Sequence, residues 1–361
     1  MKTQHLQCLQ DYSIKSEEWK EEISYMDKGE KKNRNLKYEV LRIIAAVFIL
    51  FNHIDVDFSE QAAGGVGTWN RYMIRFFHLG GKFGVNVFVI LGCYFLVGSK
   101  WKASRILRLI LEVVFYGLIL NLADMFIFGK HLSPGDFARG LSYWFPVCYI
   151  VMLLMMPVLN RIIETKLAPV IAVAGVVASG GLITWGWVAP NRLFQIVTLE
   201  HIVGSLWFCY LFVLVGWLKK KGFFEHPLYG KIGIVAFPAF YLLMYVLTLV
   251  TNRPYFRDMY SMVCLLAAMS LFLAVHHSRE RKRSRLSERL ITQVAPATFG
   301  TYLLQCNNNT AGIWREVFAY DTFAESGWLL PVCVGSVLAL LALATLLSLI
   351  YREILAKRIG L

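Results

Sequence analysis

The chain has 361 residues, of which 57 % are hydrophobic and only 17 % are charged, and its mean hydropathy is +0.52. Soluble domains usually carry about 25 % charged residues, so this composition excludes an ordinary soluble protein and indicates an integral membrane protein. The formal charge of +13 requires no nucleic-acid partner, because basic residues also concentrate at the cytoplasmic ends of membrane spans and attract anionic lipid headgroups.

The first 37 residues form a hydrophilic segment that is dense in both charges. This segment lacks the apolar stretch of a secretory signal peptide. We therefore expect a cytoplasmic N-terminal tail over residues 1–37 and one membrane domain over residues 38–361. The tail is compatible with a short amphipathic helix or with disorder.

Long apolar runs occupy most of the remaining sequence. A bilayer core of about 30 Å requires roughly 20 apolar residues per helix, and lipid favours helices because each pairs its own backbone polar groups. The sequence therefore predicts an all-α bundle of about ten transmembrane helices. The predicted spans are residues 38–56, 82–99, 106–128, 143–160, 169–187, 201–218, 232–251, 258–276, 291–308 and 328–351.

The distribution of basic residues predicts the orientation of these spans. If the N-terminus is inside, 27 of the 37 Lys and Arg residues fall in inner segments and 9 in outer segments, and Arg42 lies within the first span. Lys and Arg concentrate in cytoplasmic loops, so this bias predicts that both termini are cytoplasmic. One span more or fewer would disrupt the alternation.

The seven cysteines show neither a CxxC pair nor a histidine cluster at zinc-binding spacing. Six lie in or beside apolar runs, where cysteine commonly acts as a small apolar packing residue. The pattern supports no disulfide assignment, and we predict no metal site.

The ionisable side chains of the first predicted span include Arg42 and His53. They are eleven residues apart, so on an α-helix their directions differ by only about 20° and their Cα atoms lie roughly 16 Å apart along the axis. Ionisable groups inside spans are costly and often functional, so the shared face predicts a polar seam across the membrane. Arg42 alone could reach the interface, and His53 alone could be structural. Asp57 could orient the His53 ring or be a solvated loop residue.

A second basic cluster opens the third span. Arg105 and Arg108 are three residues apart and share a helix face. They could anchor the inner end of the helix, or they could form a cationic mouth for a phosphate-bearing ligand, because Arg forms bidentate pairs with phosphate. Glu112, one turn beyond Arg108, could pair with it.

An Arg and a His with ten residues between them in the first span are a pattern that resembles the membrane acyltransferase-3 family. The resemblance covers about residues 38–350, nearly the whole chain. It departs from the family pattern at Gln305, which stands where the family has a histidine. Further segments resemble family motifs in order and spacing: Gly84–Leu96, Arg105-Ile106-Leu107-Arg108, Tyr143-Trp144-Phe145, Leu206-Trp207-Phe208 and Ala297–Gln305.

This resemblance implies acyl transfer, generally of acetyl from acetyl-coenzyme A, to an acceptor such as a sugar. The sequence most resembles bacterial exopolysaccharide and surface-polysaccharide O-acetyltransferases, which implies a multi-pass protein of the bacterial cytoplasmic membrane that acts on a carbohydrate acceptor. In this interpretation His53 is the general base, because neutral imidazole can accept the hydroxyl proton near pH 7. Coenzyme phosphates are expected at Arg42, Arg105 and Arg108. Candidate oxyanion or acceptor contacts are Asn86, Gln305 and Asn307.

Two other classes of function remain open at this point. A sugar or polysaccharide exporter would use the same polar seam as a pathway and would need no coenzyme. A structural partner in a polysaccharide synthase complex would need neither a sugar pathway nor a coenzyme. The sequence does not identify the acceptor hydroxyl or the oligomeric state.

Overall fold

The computed structural model describes residues 35–58, 65–127, 129, 131, 133–188, 200–279, 283–309 and 312–353. Within these ranges the chain is helical and contains no β-strand. Most of the tail predicted over residues 1–37 lies outside the described residues. The α-helices are α1 Leu36–Asn52, α2 Gly65–Phe77, α3 Gly80–Leu96, α4 Ala103–Phe126, α5 Pro134–Arg139, α6 Trp144–Ile163, α7 Leu167–Val188, α8 Glu200–Lys220, α9 Leu228–Thr251, α10 Met262–His276, α11 Arg285–Gln305, α12 Ile313–Val317 and α13 Leu329–Tyr351.

The length and hydropathy of these helices confirm a multi-pass, all-helical membrane protein. In the described part of the chain, seven segments are long and apolar enough to cross a membrane. The other three predicted spans are not among these seven: α1 has 17 residues, α11 is more polar, and only Leu167–Gly180 of the apolar helix α7 enters this count. The total of ten spans and the cytoplasmic termini stay predictions. The seven segments are Val66–Leu96, Ala103–Phe126, Trp144–Ile163, His201–Lys220, Leu228–Thr251, Tyr255–His276 and Leu329–Tyr351.

Helix α1 lies between α3 and α11, and α3 packs in turn against α8 and α10. The approach of α1 to α3 is close because α3 carries glycine at position 84. A Cβ atom there would lie 2.7 Å from the carbonyl oxygen of Ala45, which is nearer than real Cβ contacts allow. This packing encloses one face of α1 inside the bundle.

The helix ends group at two opposite ends of the bundle. At one end, the Lys37 ammonium donates to the carbonyl of His276 at 2.5 Å, and the Lys219 ammonium donates to the carbonyl of Tyr94 at 3.1 Å. The start of α1 therefore lies with the ends of α3, α8 and α10, and the rings of Tyr94 and His276 are 5.3 Å apart. At the other end, Gln305 at the end of α11 donates to the last turn of α1. Successive long helices thus alternate in direction.

Helix α2 occupies a stretch that the predicted spans leave outside the membrane helices. One face of α2 is buried through Ile74 and Asn70, whereas Trp69 is 71 % exposed. The Asn70 amide donates to the carbonyls of Ala324 and Ser326 at 2.9 Å each. These bonds tie α2 to the segment that precedes α13 and close one end of the bundle.

Candidate active site

A first cavity lies beside the N-terminal half of α1. This Arg42 cavity has a volume of about 240 Å³ and is lined by Arg42, Glu112, Tyr149 and mainly apolar side chains. The Arg42 guanidinium donates to the buried Glu39 carboxylate at 3.3 Å, and the Arg42 side chain is 38 % exposed. Because a guanidinium carries five N–H donors, Arg42 retains donors that can face a ligand in this cavity.

The two arginines at the start of α4 flank the Arg42 cavity without lining it. Arg105 donates to the carbonyl of Lys100 at 3.0 Å and to the Ser99 hydroxyl at 3.2 Å, so it also holds the loop between α3 and α4. Both Arg42 and Arg105 lie close enough to act electrostatically on the Tyr149 hydroxyl. The structure therefore brings Arg42 and Arg105 to the same end of the bundle, near Tyr149.

Arg108 lies on the same helix but is exposed. It lies within electrostatic reach of Glu112. In the described residues the two side chains do not form an ion pair within 4 Å, so the predicted pairing is not present in this conformation. Glu112 is instead one of the residues that line the Arg42 cavity.

A second cavity lies beside the C-terminal end of α1. This His53 cavity has a volume of about 290 Å³ and is lined by polar side chains that include His53, His78, Lys82 and Asp258. His53 follows the last residue of α1, and its backbone N–H bonds to the Leu50 carbonyl at 3.1 Å. Its side chain belongs to the wall of the cavity. His78 and Lys82 both lie within electrostatic reach of the His53 imidazole.

The two cavities share a layer formed by Ile49, Val85 and Tyr302, which line both of them. Tyr302 is only 6 % exposed. Its hydroxyl makes no hydrogen bond to the described residues, although the backbone of Phe145 lies nearby. A buried hydroxyl without a partner costs free energy unless another group pairs with it, so Tyr302 is suited to donate to a bound molecule. Sequence reasoning did not single out this residue, although the motif ending at Gln305 contains it.

Gln305 lies near His53 but does not line either cavity. Its side-chain amide donates to the Leu50 carbonyl at 3.0 Å, the same carbonyl that accepts from the backbone of His53. Gln305 therefore fixes the end of α1, and so the position of His53. Its side-chain oxygen is buried without a hydrogen-bond partner among the described residues.

Asn86 and Asn307 also lie outside the two cavities and make structural hydrogen bonds. The fully buried Asn86 donates to the carbonyl of Met259 at 2.9 Å and accepts from the indole of Trp207 at 2.9 Å. The amide of Asn307 donates to the carbonyl of Gly140 at 2.8 Å. The geometry therefore does not bring these two predicted contacts together with His53.

Asp57 does not orient the His53 ring. Its carboxylate is 81 % exposed and lies 3.5 Å from the guanidinium of Arg315. Arg315 also pairs with Asp55 and Asp321, so these carboxylates form an ionic cluster at the surface. Burial raises the pKa of Asp321, but the hydrogen bonds from Arg315 and from the backbone of Asp57 lower it by more. The solvated-loop interpretation of Asp57 is the one that fits.

Comparison with known proteins identifies the class to which this fold and site belong. The model of an acyltransferase domain, acyltransferase-3, matches residues 35–351. The chain belongs to this family and is a multi-pass membrane acyltransferase. Comparisons with curated proteins and with solved structures give no match.

Proposed function

We propose that this protein is a membrane-bound O-acyltransferase of the bacterial cytoplasmic membrane. It transfers acetyl from acetyl-coenzyme A to a sugar hydroxyl of a cell-surface polysaccharide or of its lipid-linked precursor. The observation that supports this proposal most strongly is the pair of adjoining cavities, since one presents Arg42 and the other presents His53. Acyl transfer needs an anion site for the donor and a base for the acceptor, and these two residues supply the two requirements.

The donor would bind from the end of the bundle at which Arg42 and Arg105 lie. Coenzyme A carries a diphosphate and a 3′-phosphate, and Arg binds phosphate through charge-assisted, bidentate hydrogen bonds. Each cavity is smaller than the roughly 300–1,000 Å³ of typical sites for drug-sized ligands. The cavities therefore suit the thioester-bearing arm of the coenzyme, with its nucleotide held at the mouth beside Arg105 and Arg108.

The acceptor would bind in the His53 cavity. His53 removes the proton from the sugar hydroxyl as its oxygen attacks the thioester carbonyl, and the imidazolium then protonates the departing coenzyme thiolate. The negative charge that develops on the carbonyl oxygen needs a preorganised donor. The buried Tyr302 hydroxyl meets this need better than Asn86 or Asn307, whose amides are engaged in structural bonds.

The nearest rival is an exporter, because two adjoining cavities along one face of α1 would also suit a sugar pathway. The two functions differ in thioester chemistry. Mass spectrometry of the surface polysaccharide should show O-acetyl groups in cells that carry the wild-type protein. Cells without the protein, or with His53→Ala, should make the same polysaccharide in the same amount without those groups. Loss of surface polysaccharide in both strains, with its acetylation unchanged, would favour export and contradict the proposal.

A further inference from the structure

The thiol of Cys306 lies against the imidazole that the proposed reaction uses as its base. The Cys306 Sγ is 3.1 Å from the Nε2 of His53. Cys306 directly follows α11, and its backbone N–H bonds to the Tyr302 carbonyl at 2.9 Å. A thiol within hydrogen-bond reach of a histidine is the arrangement that activates cysteine nucleophiles. The direct transfer described above gives this thiol no role.

We infer that Cys306 is the acyl-accepting nucleophile, so that the acyl group forms a thioester with Cys306 before it reaches the sugar hydroxyl. This inference rests on the proposed acyltransferase function and specifies its chemical route. The acyl group would enter the His53 cavity on the coenzyme and pass to the thiol of Cys306, which does not line the cavity but contacts His53 in its wall.

A second observation supports this assignment independently of the thiol. The Tyr302 hydroxyl is buried, makes no hydrogen bond to the described residues, and lies in the wall of the His53 cavity one helical turn before Cys306. It is placed to donate to the oxyanion of a thioester at Cys306.

The first step exchanges one thioester for another. His53 takes the proton of the Cys306 thiol, and the thiolate attacks the carbonyl carbon of the acyl-coenzyme. A C–S bond to Cys306 forms, and the C–S bond to the coenzyme breaks. The coenzyme thiolate takes the proton back from the His53 imidazolium and leaves.

The second step consumes the protein thioester. His53 removes the proton from the acceptor hydroxyl, and the hydroxyl oxygen attacks the acyl carbon on Cys306. The new C–O bond forms as the C–S bond breaks, and the Cys306 thiolate recovers the proton from His53. Neither step needs an oxidant or a metal, and donor and acceptor need not occupy the small His53 cavity together.

The intermediate can be trapped on the full-length protein in detergent. Radiolabelled acetyl-coenzyme A without acceptor should label the wild-type chain, and the label should be released by hydroxylamine and map to the Cys306 peptide by mass spectrometry. Cys306→Ala and Cys306→Ser should lose this thioester label and slow acetyl transfer by at least about 100-fold. Cys209→Ala is the matched control, because Cys209 is also half-buried but lies on α8. This variant should retain both the thioester label and the wild-type rate of acetyl transfer.

The outcomes separate the route from the function. A well-folded Cys306→Ala protein could still transfer acetyl at more than about a tenth of the wild-type rate, which corresponds to a barrier change below about 1.4 kcal/mol. That result would overturn the thioester route and leave the acyltransferase function intact. A wild-type protein that consumes no acetyl-coenzyme A, with or without acceptor, would overturn both.

Alkylation gives a readout that does not depend on acyl transfer. The thiolate is the form of cysteine that reacts, so His53→Gln should slow the reaction of Cys306 with iodoacetamide and leave that of Cys209 unchanged. An unchanged rate at Cys306 would show that the imidazole does not activate this thiol and would overturn the assignment.

Discussion

Arg42 and His53 open from one face of α1 into two adjoining cavities that share Ile49, Val85 and Tyr302 as a common wall. The eleven-residue spacing therefore places the two side chains in neighbouring cavities along one face of the helix. In the proposed reaction, Arg42 would receive an anionic group of the donor, and His53 would act on an uncharged reacting group at the far end of the same helix.

Replacing Arg42 by Lys should weaken binding of the acyl donor. Lys keeps the positive charge but loses the planar pair of donors that matches a phosphate. A hydrogen bond to a charged group is worth about 1.5–3 kcal/mol, so the Michaelis constant for acetyl-coenzyme A should rise about tenfold or more, and that for the acceptor should stay nearly constant. Arg105→Lys should act in the same direction but less strongly, since Arg105 already bonds to the α3–α4 loop. Arg315→Lys, at the surface ionic cluster, is the matched control. Unchanged donor kinetics in both variants would make these arginines helix anchors.

Removing the hydroxyl of Tyr302 should slow catalysis without unfolding the protein. Loss of one oxyanion donor typically lowers kcat by about 10²–10³, and Tyr302→Phe leaves no stranded partner because the hydroxyl is unpaired in the described residues. Tyr116→Phe is the matched control, since the Tyr116 hydroxyl donates to the Ala344 carbonyl at 3.0 Å away from both cavities. It should lower stability by about 1 kcal/mol and leave kcat unchanged. Equal kcat values for Tyr302→Phe and wild type would remove Tyr302 from the mechanism.

Asn86→Ala should impair stability rather than substrate binding. The substitution leaves the Trp207 indole N–H and the Met259 carbonyl buried without their partner, at a cost of about 1–3 kcal/mol for each unsatisfied group. We expect a lower Tm in detergent and unchanged Michaelis constants for the folded fraction. An unchanged Tm with a raised Michaelis constant for the acceptor would instead restore Asn86 as a binding residue.

The predicted topology can be measured with single introduced cysteines in a cysteine-free background. Ser133→Cys and Glu325→Cys should react with an impermeant maleimide in intact cells, whereas Glu225→Cys and Arg283→Cys should react only after permeabilisation. All four positions are exposed. Positions 283 and 325 lie on either side of α11, the most polar of the long helices, so this pair tests whether α11 crosses the membrane. Labelling of both from the same side would refute the ten-span arrangement.

The helices were largely predictable because lipid imposes one strong requirement, an apolar run of sufficient length. Helix α3 was predicted over residues 82–99 and is found over Gly80–Leu96. Helix α2 was missed because it is amphipathic and short, with Arg71 and Arg75 among its apolar residues. Its buried face is satisfied by contacts with residues more than 250 positions away, which no local pattern encodes.

The candidate site was predictable only along single helices. The 3.6-residue period relates Arg42 to His53 because Arg42 lies on α1 and His53 directly follows its last residue. It cannot relate His53 to Cys306, which is 253 residues distant, or to Lys82. Asn86 is a polar residue inside an apolar run, and this position indicated a ligand contact. Its partners in the structure are instead an indole and a carbonyl on other segments. Whether a buried amide serves a ligand or the fold depends on tertiary packing.

The most direct test of the central claim uses purified full-length protein, radiolabelled acetyl-coenzyme A, and surface polysaccharide from cells that lack the protein. Wild-type protein should transfer label to the polysaccharide. His53→Gln should fold normally and transfer label about 10²–10⁴ times more slowly, because it lacks the general base. His226→Gln, a substitution at an exposed loop histidine, should match wild type. Transfer by His53→Gln at more than about a tenth of the wild-type rate would contradict the account of His53 as the base.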